Sequence, residues 1–288
     1  MNRPRILQVL YSGLGGHAAV AMPLIEAGGP DDPWAHHLLF YGIEPVAPGY
    51  LEACARLGVP YDYVAARQGR PWASWPDLMR AVRTIGPDAV ILHSIKTIAP
   101  MRPATRGIPL IAVEHQANAL KTRSEWVTSV LAQRLANRVV TLSPDYRATL
   151  GARLGPLFRP ARTTLVPTGI DLSPFEDGRA ARAPGGPLRI GMAGRFSPTK
   201  AQEVLVAALE RLTRDHPQRD WRLSLAGDGT RYEAVRDAVQ AAGLGDWVEM
   251  AGHMPAEALP DWFGTLDFYA HASDGETLST ALLQAMAA

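Results

Sequence analysis

Short apolar, β-branched runs alternate along this chain with longer stretches of amphipathic spacing, the pattern of parallel strands joined by crossover helices. In the first half the predicted strands are Arg5–Leu10, His36–Tyr41, Tyr61–Ala65, Ala89–Leu92, Leu110–Val113, Val139–Leu142 and Thr164–Val166. Between the fifth and sixth, Val127, Val130, Leu131 and Leu135 fall on one helical face, with Arg123, Gln133 and Arg134 elsewhere. That spacing predicts an amphipathic helix packed on the sheet. The alternation stops over Asp171–Pro187, where Ser173-Pro174, Asp177-Gly178 and Pro184-Gly185-Gly186-Pro187 deny the chain a regular element. It restarts with Leu188–Ala193, a helix over about Ala201–Leu212, Trp221–Ala226, a helix over about Tyr232–Ala241, Val248–Ala251, a short helix, Phe268–Ala270 and a final helix from near Glu276. The prediction is an α/β fold of two doubly wound, Rossmann-like domains in tandem: residues 1–172, a linker at 173–187, and 188–288.

At 288 residues, 47% hydrophobic and 20% charged, the chain can fill two modest cores. It holds no run of the roughly 18 to 20 apolar residues that a membrane span needs. The apolar start at Ile6–Leu10 is broken by Gln8, a glycine cluster and His17, which reads as a cytoplasmic beginning rather than a signal peptide. The lone Cys54, in a predicted helix, excludes an intramolecular disulfide and a cysteine zinc site and fits a reducing compartment. A net charge of +1 argues against a nucleic-acid partner, yet the halves differ. Residues 1–170 carry 18 Lys and Arg against 11 Asp and Glu, and residues 171–288 carry 11 against 17. Within 121–162, Lys121, Arg123, Arg134, Arg138, Arg147, Arg153, Arg159 and Arg162 face only Glu125 and Asp145, with Leu154, Leu157 and Phe158 interleaved. Such a stretch suits a face resting on anionic lipid headgroups, and equally an ordinary solvated surface.

The first strand runs into Ser12-Gly13-Leu14-Gly15-Gly16-His17-Ala18, a glycine turn opening a helix whose N–H groups favour a phosphate or a developing negative charge. A nicotinamide site would also want a carboxylate at the end of the second strand to hold a ribose. That strand ends in Leu39-Phe40-Tyr41-Gly42, so the dinucleotide reading is a minor alternative. After the linker, Gly191-Met192-Ala193-Gly194-Arg195-Phe196-Ser197-Pro198-Thr199-Lys200 puts two cations around a strand-to-helix turn. An arginine fork and a lysine point charge together suit a diphosphate. The same spacing also serves a surface arginine and a helix-start lysine.

Taken with Leu225-Ala226-Gly227-Asp228-Gly229, Ala251-Gly252-His253-Met254-Pro255, Ser273-Asp274-Gly275-Glu276 and Leu282-Leu283-Gln284-Ala285-Met286-Ala287, this run resembles the retaining nucleotide-sugar glycosyltransferases of family four. The order and spacing match over about a hundred residues, and the Gly15-Gly16 turn and the His115 segment extend the likeness to nearly the whole chain. The resemblance implies the GT-B fold, two Rossmann-like domains facing each other, with the second incomplete here: relatives continue through a further strand and more helices. It implies transfer of a sugar from a nucleotide-sugar donor to an acceptor hydroxyl with retention, the hydroxyl attacking on the face the diphosphate leaves and no enzyme nucleophile assigned. Arg195 and Lys200 would bind the diphosphate and neutralise it as it departs. His115 would lie beside the donor sugar, while His93, also at a strand end, is a weaker candidate for the same region. Glu276 would contact the sugar, with the N–H groups of Thr277 and Leu278 beside it. Gly15, Gly16, Gly227, His253 and Met254 would line the nucleotide or phosphate.

Two departures bear on the donor. Gln284 replaces a carboxylate that normally grips the ribose; its carbonyl still accepts a hydrogen bond but without charge, so lower donor affinity is expected. Thr277 and Ser279 stand where the family commonly has glycine and proline, which leaves the sugar open. Neither a metal nor a cofactor is expected, since Arg195 and Lys200 supply the positive charge. The expected partners are a nucleotide sugar, a sugar or lipid-linked acceptor of envelope or exopolysaccharide synthesis, and an anionic membrane surface through 121–162, with a cytoplasmic location peripheral to the membrane. A non-catalytic nucleotide-binding protein and a nucleotide-sugar epimerase of the same fold remain as alternatives.

Overall fold

The computed structural model describes residues 3–13, 18–175, 186–274 and 279–288. The chain divides into two units, Met1–Gly169 and Ile170–Ala288. In the first, seven parallel strands, β1 (Arg5–Tyr11), β2 (Ala35–Gly42), β3 (Tyr61–Ala65), β4 (Ala89–Leu92), β5 (Leu110–Glu114), β6 (Arg138–Thr141) and β7 (Thr163–Leu165), lie in the order β3-β2-β1-β4-β5-β6-β7. Helices α1 (Ala18–Gly28), α2 (Pro48–Leu57), α3 (Trp75–Ile85), α4 (Ile98–Ala104), α5 (Arg123–Leu135) and α6 (Pro144–Leu154) connect them.

Strand residues point alternately to the two sides, and β2 shows how both are filled. Leu38 and Phe40 join Ala21, Met22 and Ile25 of α1 and Tyr50 and Cys54 of α2. Leu39 packs on the other side with Leu78 and Val82 of α3, Met101 of α4 and Ala132 of α5. A sheet covered on both faces needs near-continuous apolar strands, which is why these runs were legible.

Helix α5 departs from the expected amphipathic face. Its buried residues are Glu125, Ser129, Ala132 and Gln133, while Val127 is 58% exposed. Leu131 and Leu135 do reach the sheet core, but Val130 and Trp126 pack on Tyr146, Leu150 and Leu154 of α6. The polar residues are tolerated inside because each has partners. Gln133 Oε1 accepts from Arg159 N (3.0 Å), and Ser129 Oγ accepts from Lys121 Nζ (2.8 Å). Lys121 is therefore no part of a basic surface: its side chain is 1% exposed and pairs with the buried Glu114 at 2.7 Å.

Glu125 closes a capping box with Thr122 at the start of α5 and meets Lys96 Nζ at 2.8 Å. Burial alone would raise its pKa, but the Lys96 ammonium and the Thr122 N–H and hydroxyl outweigh it and hold the carboxyl at about 2, against an ordinary 4.5. The folded pKa is the lower one, so this stabilisation is complete above pH 4.5 and is lost as pH falls towards 2. In thermal melts from pH 7 to 2.5, Glu125→Gln is expected to lie below the wild type at neutral pH and to converge on it in acid. A constant gap would show that Glu125 acts through packing instead.

The second unit carries β8 (Leu188–Ala193), β9 (Trp221–Ala226), β10 (Val248–Gly252) and β11 (Phe268–Tyr269), parallel and ordered β10-β9-β8-β11. Helices α7 (Gln202–Asp215) and α8 (Tyr232–Ala241) cover one face through Val206, Leu209, Val235 and Val239. On the other face, α9 (Leu259–Gly264) and α10 (Thr280–Ala287) pack over Ala193 and Ala226 with Trp262 and Phe263. Phe175 belongs to this cluster, 6.2 Å from Phe263 between ring centres. The segment expected to be structureless thus begins with a 3-10 turn at Ser173–Phe175, anchored by a buried aromatic, and the units part after Gly169. Residues 176–185, the middle of the expected linker, lie outside the described residues.

Candidate functional site

In an open parallel sheet, ligands settle beyond the carboxyl ends of the strands where the winding reverses. In the second unit that point lies between β8 and β11, neighbours in the sheet. The loop after β8 holds Arg195 and Lys200. Between them Phe196 is fully buried, its ring 5.1 Å from Tyr232, which leaves Arg195 exposed at the loop surface. Lys200 folds back so that its Cε would lie 3.8 Å from a Cβ placed on Gly194.

Backbone contacts fasten this loop and the turn behind it. Ala201 N donates to Ala272 O (3.1 Å) and Asp274 N to Thr199 O (2.9 Å), zipping it to the segment after β11. Gly227 N donates to Gly252 O (2.7 Å), and Gly194 N to Ala226 O (2.9 Å). Gly227 itself has φ +136°, and a Cβ there would fall 2.1 Å from Gly194 O. Only glycine lets β9 approach the cation-bearing loop so closely. The glycine motif accordingly supports the loop from behind.

The Lys200 ammonium has a partner that spacing did not reveal. Its Nζ lies 3.3 Å from His271 Nε2, and Tyr269 OH is 3.1 Å from His271 Nδ1 and 3.2 Å from Ala193 O. With the tyrosine hydroxyl donating to Ala193 O, the His271 Nδ1–H donates to the tyrosine oxygen, and its Nε2 lone pair accepts from Lys200. His271 follows a two-residue strand, where no periodicity marks it; its place opposite the loop after β8 was the available signal. His253 is exposed and Met254 half-buried just past β10, and Gln284 sits half-buried in the middle of α10. Glu276, Thr277 and Leu278 lie outside the described residues.

In the first unit the winding reverses between β1 and β4. Gly15 and Gly16 of the turn after β1 lie outside the described residues. His93, just past β4, is 2% exposed, and His115, just past β5, is half-buried. They meet: His93 Nδ1 is 2.9 Å from His115 Nε2, with ring centres 5.2 Å apart, and His93 Nε2 is 2.9 Å from Gln8 Oε1. Spacing along the chain gives no sign that the two histidines meet, and it marks Gln8 only as a polar break in an apolar run. Past β2, Glu44 reaches back to Gly13, where its carboxylate would collide with any side chain. An anion already resting there is a poor setting for a dinucleotide pyrophosphate. Among the described residues no three His, Cys, Asp or Glu side chains are grouped to hold a metal ion, and no helix is long and apolar enough to cross a membrane.

Residues 187–288 match the model "Glycosyl transferases group 1", and residues 32–174 match "Glycosyltransferase Family 4". The chain belongs to the family 4, group 1 glycosyltransferases.

Among curated relatives, this glycosyltransferase is similar to the 2-deoxystreptamine N-acetyl-D-glucosaminyltransferase of Streptomyces fradiae, 33% identical over 162 residues, 54% of this chain and 38% of that protein. It is also similar to the D-inositol 3-phosphate glycosyltransferase of Kineococcus radiotolerans, 28% identical over 218 residues, 69% of this chain and 47% of that protein. The chain spans less than half the length of either relative. Among solved structures, Anabaena HepE in complex with UDP and glucose superposes with a TM-score of 0.79 at 19% identity, over 98% of this chain and 78% of that one. At that identity the likeness concerns the fold, which is α/β with parallel sheets, as in the GT-B glycosyltransferases.

Proposed function

We propose that this glycosyltransferase transfers a sugar from a nucleotide-sugar donor to an acceptor hydroxyl with retention at the anomeric carbon. The observation that carries the reading is the loop Gly194–Lys200 at the β8/β11 reversal, with an exposed Arg195 and a Lys200 ammonium held over Gly194 by His271. A leaving diphosphate gains charge as the glycosidic bond breaks, and preorganised cations stabilise that charge without reorganising. On this reading Arg195 and Lys200 take the diphosphate, and His253, Met254 and Gln284 lie towards the nucleoside. His115 and Glu276 address the sugar. The positive charge comes from the two side chains, so the reaction is expected to run without added metal or cofactor.

UDP is the first candidate nucleotide, because HepE, of the same fold, is described with UDP and with UDP-glucose. The acceptor is expected to be a sugar or lipid-linked molecule that presents a hydroxyl; the relatives named above for 2-deoxystreptamine and for D-inositol 3-phosphate share only that hydroxylated ring chemistry. An apolar groove of Trp126, Val127, Val130, Leu131, Leu154 and Leu157, flanked by Arg123 and Arg153, is the face on which this chain would rest on an anionic membrane from the cytoplasmic side.

Thermal melts with UDP, GDP, ADP and TDP, without metal, test the donor site. One nucleotide is expected to stabilise the wild type, by about 2.7 kcal/mol at a hundredfold excess over Kd, and to lose most of that effect on Arg195→Ala. A folded chain that responds to none of the four would overturn the reading. Conversion of a free nucleotide sugar without acceptor would favour an epimerase.

A further inference from the structure

We propose that Gln8 and His93 are positioning residues that fix His115 in the tautomer protonated on Nε2, so that its Nδ1 lone pair is the atom offered to a sugar hydroxyl. The inference rests on the donor-sugar reading of His115 given above and adds how that residue is set.

The chain of hydrogen bonds has a direction. Gln8 Oε1 only accepts, so His93 Nε2, 2.9 Å away, carries a proton. His93 is 2% exposed and Gln8 is wholly buried, and a second proton on the His93 ring would place a charge in that nearly solvent-free site. The ring therefore keeps one proton, and its Nδ1 is a lone pair. His115 Nε2, 2.9 Å from that lone pair, is then the donor. A histidine whose Nε2 holds the proton presents Nδ1 as an acceptor, and a neutral acceptor suits a hydroxyl donor where an imidazolium would not.

The arrangement is costly as pure packing. Gln8 stands in β1 among apolar neighbours, and its Nε2 has no partner among the described residues. An unmet buried donor disfavours folding, so a leucine or methionine would serve the core better. The three residues also come from β1 and the ends of β4 and β5, adjacent strands at the point where this sheet reverses. Ligands of open α/β sheets bind at such a point, and an oriented outer partner behind a ligand-contacting histidine is how its tautomer is usually set.

The test reads the tautomer directly. The full chain labelled with 15N-histidine gives two-bond 1H–15N spectra, and His115→Ala assigns the His115 ring. In the wild type the proton is expected on Nε2. His93→Leu removes the acceptor and is expected to give a mixture of tautomers, with kcat/KM for transfer lowered about tenfold, the worth of one hydrogen bond. His93→Asn, whose amide oxygen can still accept from His115 Nε2–H, is expected to restore both the tautomer and most of the rate, and it guards against a Leu variant that fails to fold. A wild-type His115 protonated on Nδ1, as a reversed Gln8 amide would produce, overturns the proposal, and so does an unchanged tautomer in folded His93→Leu. These spectra need no nucleotide, so they stand or fall separately from donor binding.

Discussion

Lys200→Ala is expected to lower kcat for sugar transfer by two to three orders of magnitude, with a much smaller change in KM for the donor. The asymmetry follows from when the lysine is used. In the ground state the diphosphate is shared between sugar and nucleoside and its charge is spread. As the glycosidic bond lengthens, charge collects on the departing oxygen, and a fixed ammonium gains most there. Losing one preorganised charge-stabilising group typically costs about 10²- to 10³-fold in kcat. Lys200 is fixed before any ligand arrives: its stem lies along Gly194, and His271 Nε2 stands 3.3 Å from Nζ, itself tied through Tyr269 OH to Ala193 O. Arg195 differs, being exposed beside the buried Phe196. On the proposed reading it meets the diphosphate on binding, so Arg195→Ala should act mainly on donor affinity. Steady-state kinetics on both variants separate the roles. Equal losses in KM and none in kcat for Lys200→Ala would assign it to binding alone.

The two sheets, each in its own unit, were largely written in the sequence. Ala89–Leu92, Leu188–Ala193, Trp221–Ala226 and Tyr232–Ala241 begin and end where the apolar pattern places them, because strands covered on both faces and a helix with one buried face must obey their periods. Pattern failed where burial was decided by pairing rather than hydropathy. Helix α5 turns Glu125, Ser129 and Gln133 inward and leaves Val127 outside, because the polar side chains find Thr122, Lys96, Lys121 and Arg159 there. Lys121, counted with the basic stretch, is interior for the same reason. Phe175 was hidden among prolines and glycines, yet one large aromatic suffices to draw a loop into a core. In the candidate site, motif order points to Arg195, Lys200 and His115, whereas Gln8 reaches His93, and His271 reaches Lys200, only through the parallel pairing of distant strands. Spacing along one chain carries no signal for that.

Lys121→Met is expected to cost about 3 to 5 kcal/mol, the usual penalty for leaving one partner of a buried ion pair uncompensated, and so to lower the melting temperature by roughly 10 °C. Glu114 is wholly buried, and its Oε2 accepts from Lys121 Nζ (2.7 Å) and from Tyr146 OH (3.0 Å). Oε1 has no partner among the described residues, so removing the ammonium leaves a carboxylate with the tyrosine hydroxyl alone. The Lys121 ammonium also stands over the rings of Trp126 and Tyr146, at 4.9 and 5.3 Å, contacts that methionine keeps only in part. Burial nevertheless lowers the lysine's pKa from its ordinary value against the pull of Glu114, which shows how much desolvation the pair must offset. The double variant Lys121→Met, Glu114→Leu should therefore regain most of the lost stability, since an apolar pair of similar volume often equals a buried ion pair. What it should not regain is the path of the chain. Glu114 ends β5 immediately before His115, and Lys121 ends the following loop at the threshold of α5, so the ion pair closes the segment that carries the histidine. Melting curves and transfer rates on the single and double variants are then expected to part, with stability recovering and rate staying low. Recovery of both would mean that the pair serves packing alone, and a single variant melting within about 2 °C of the wild type would mean that the buried charge is relieved by water.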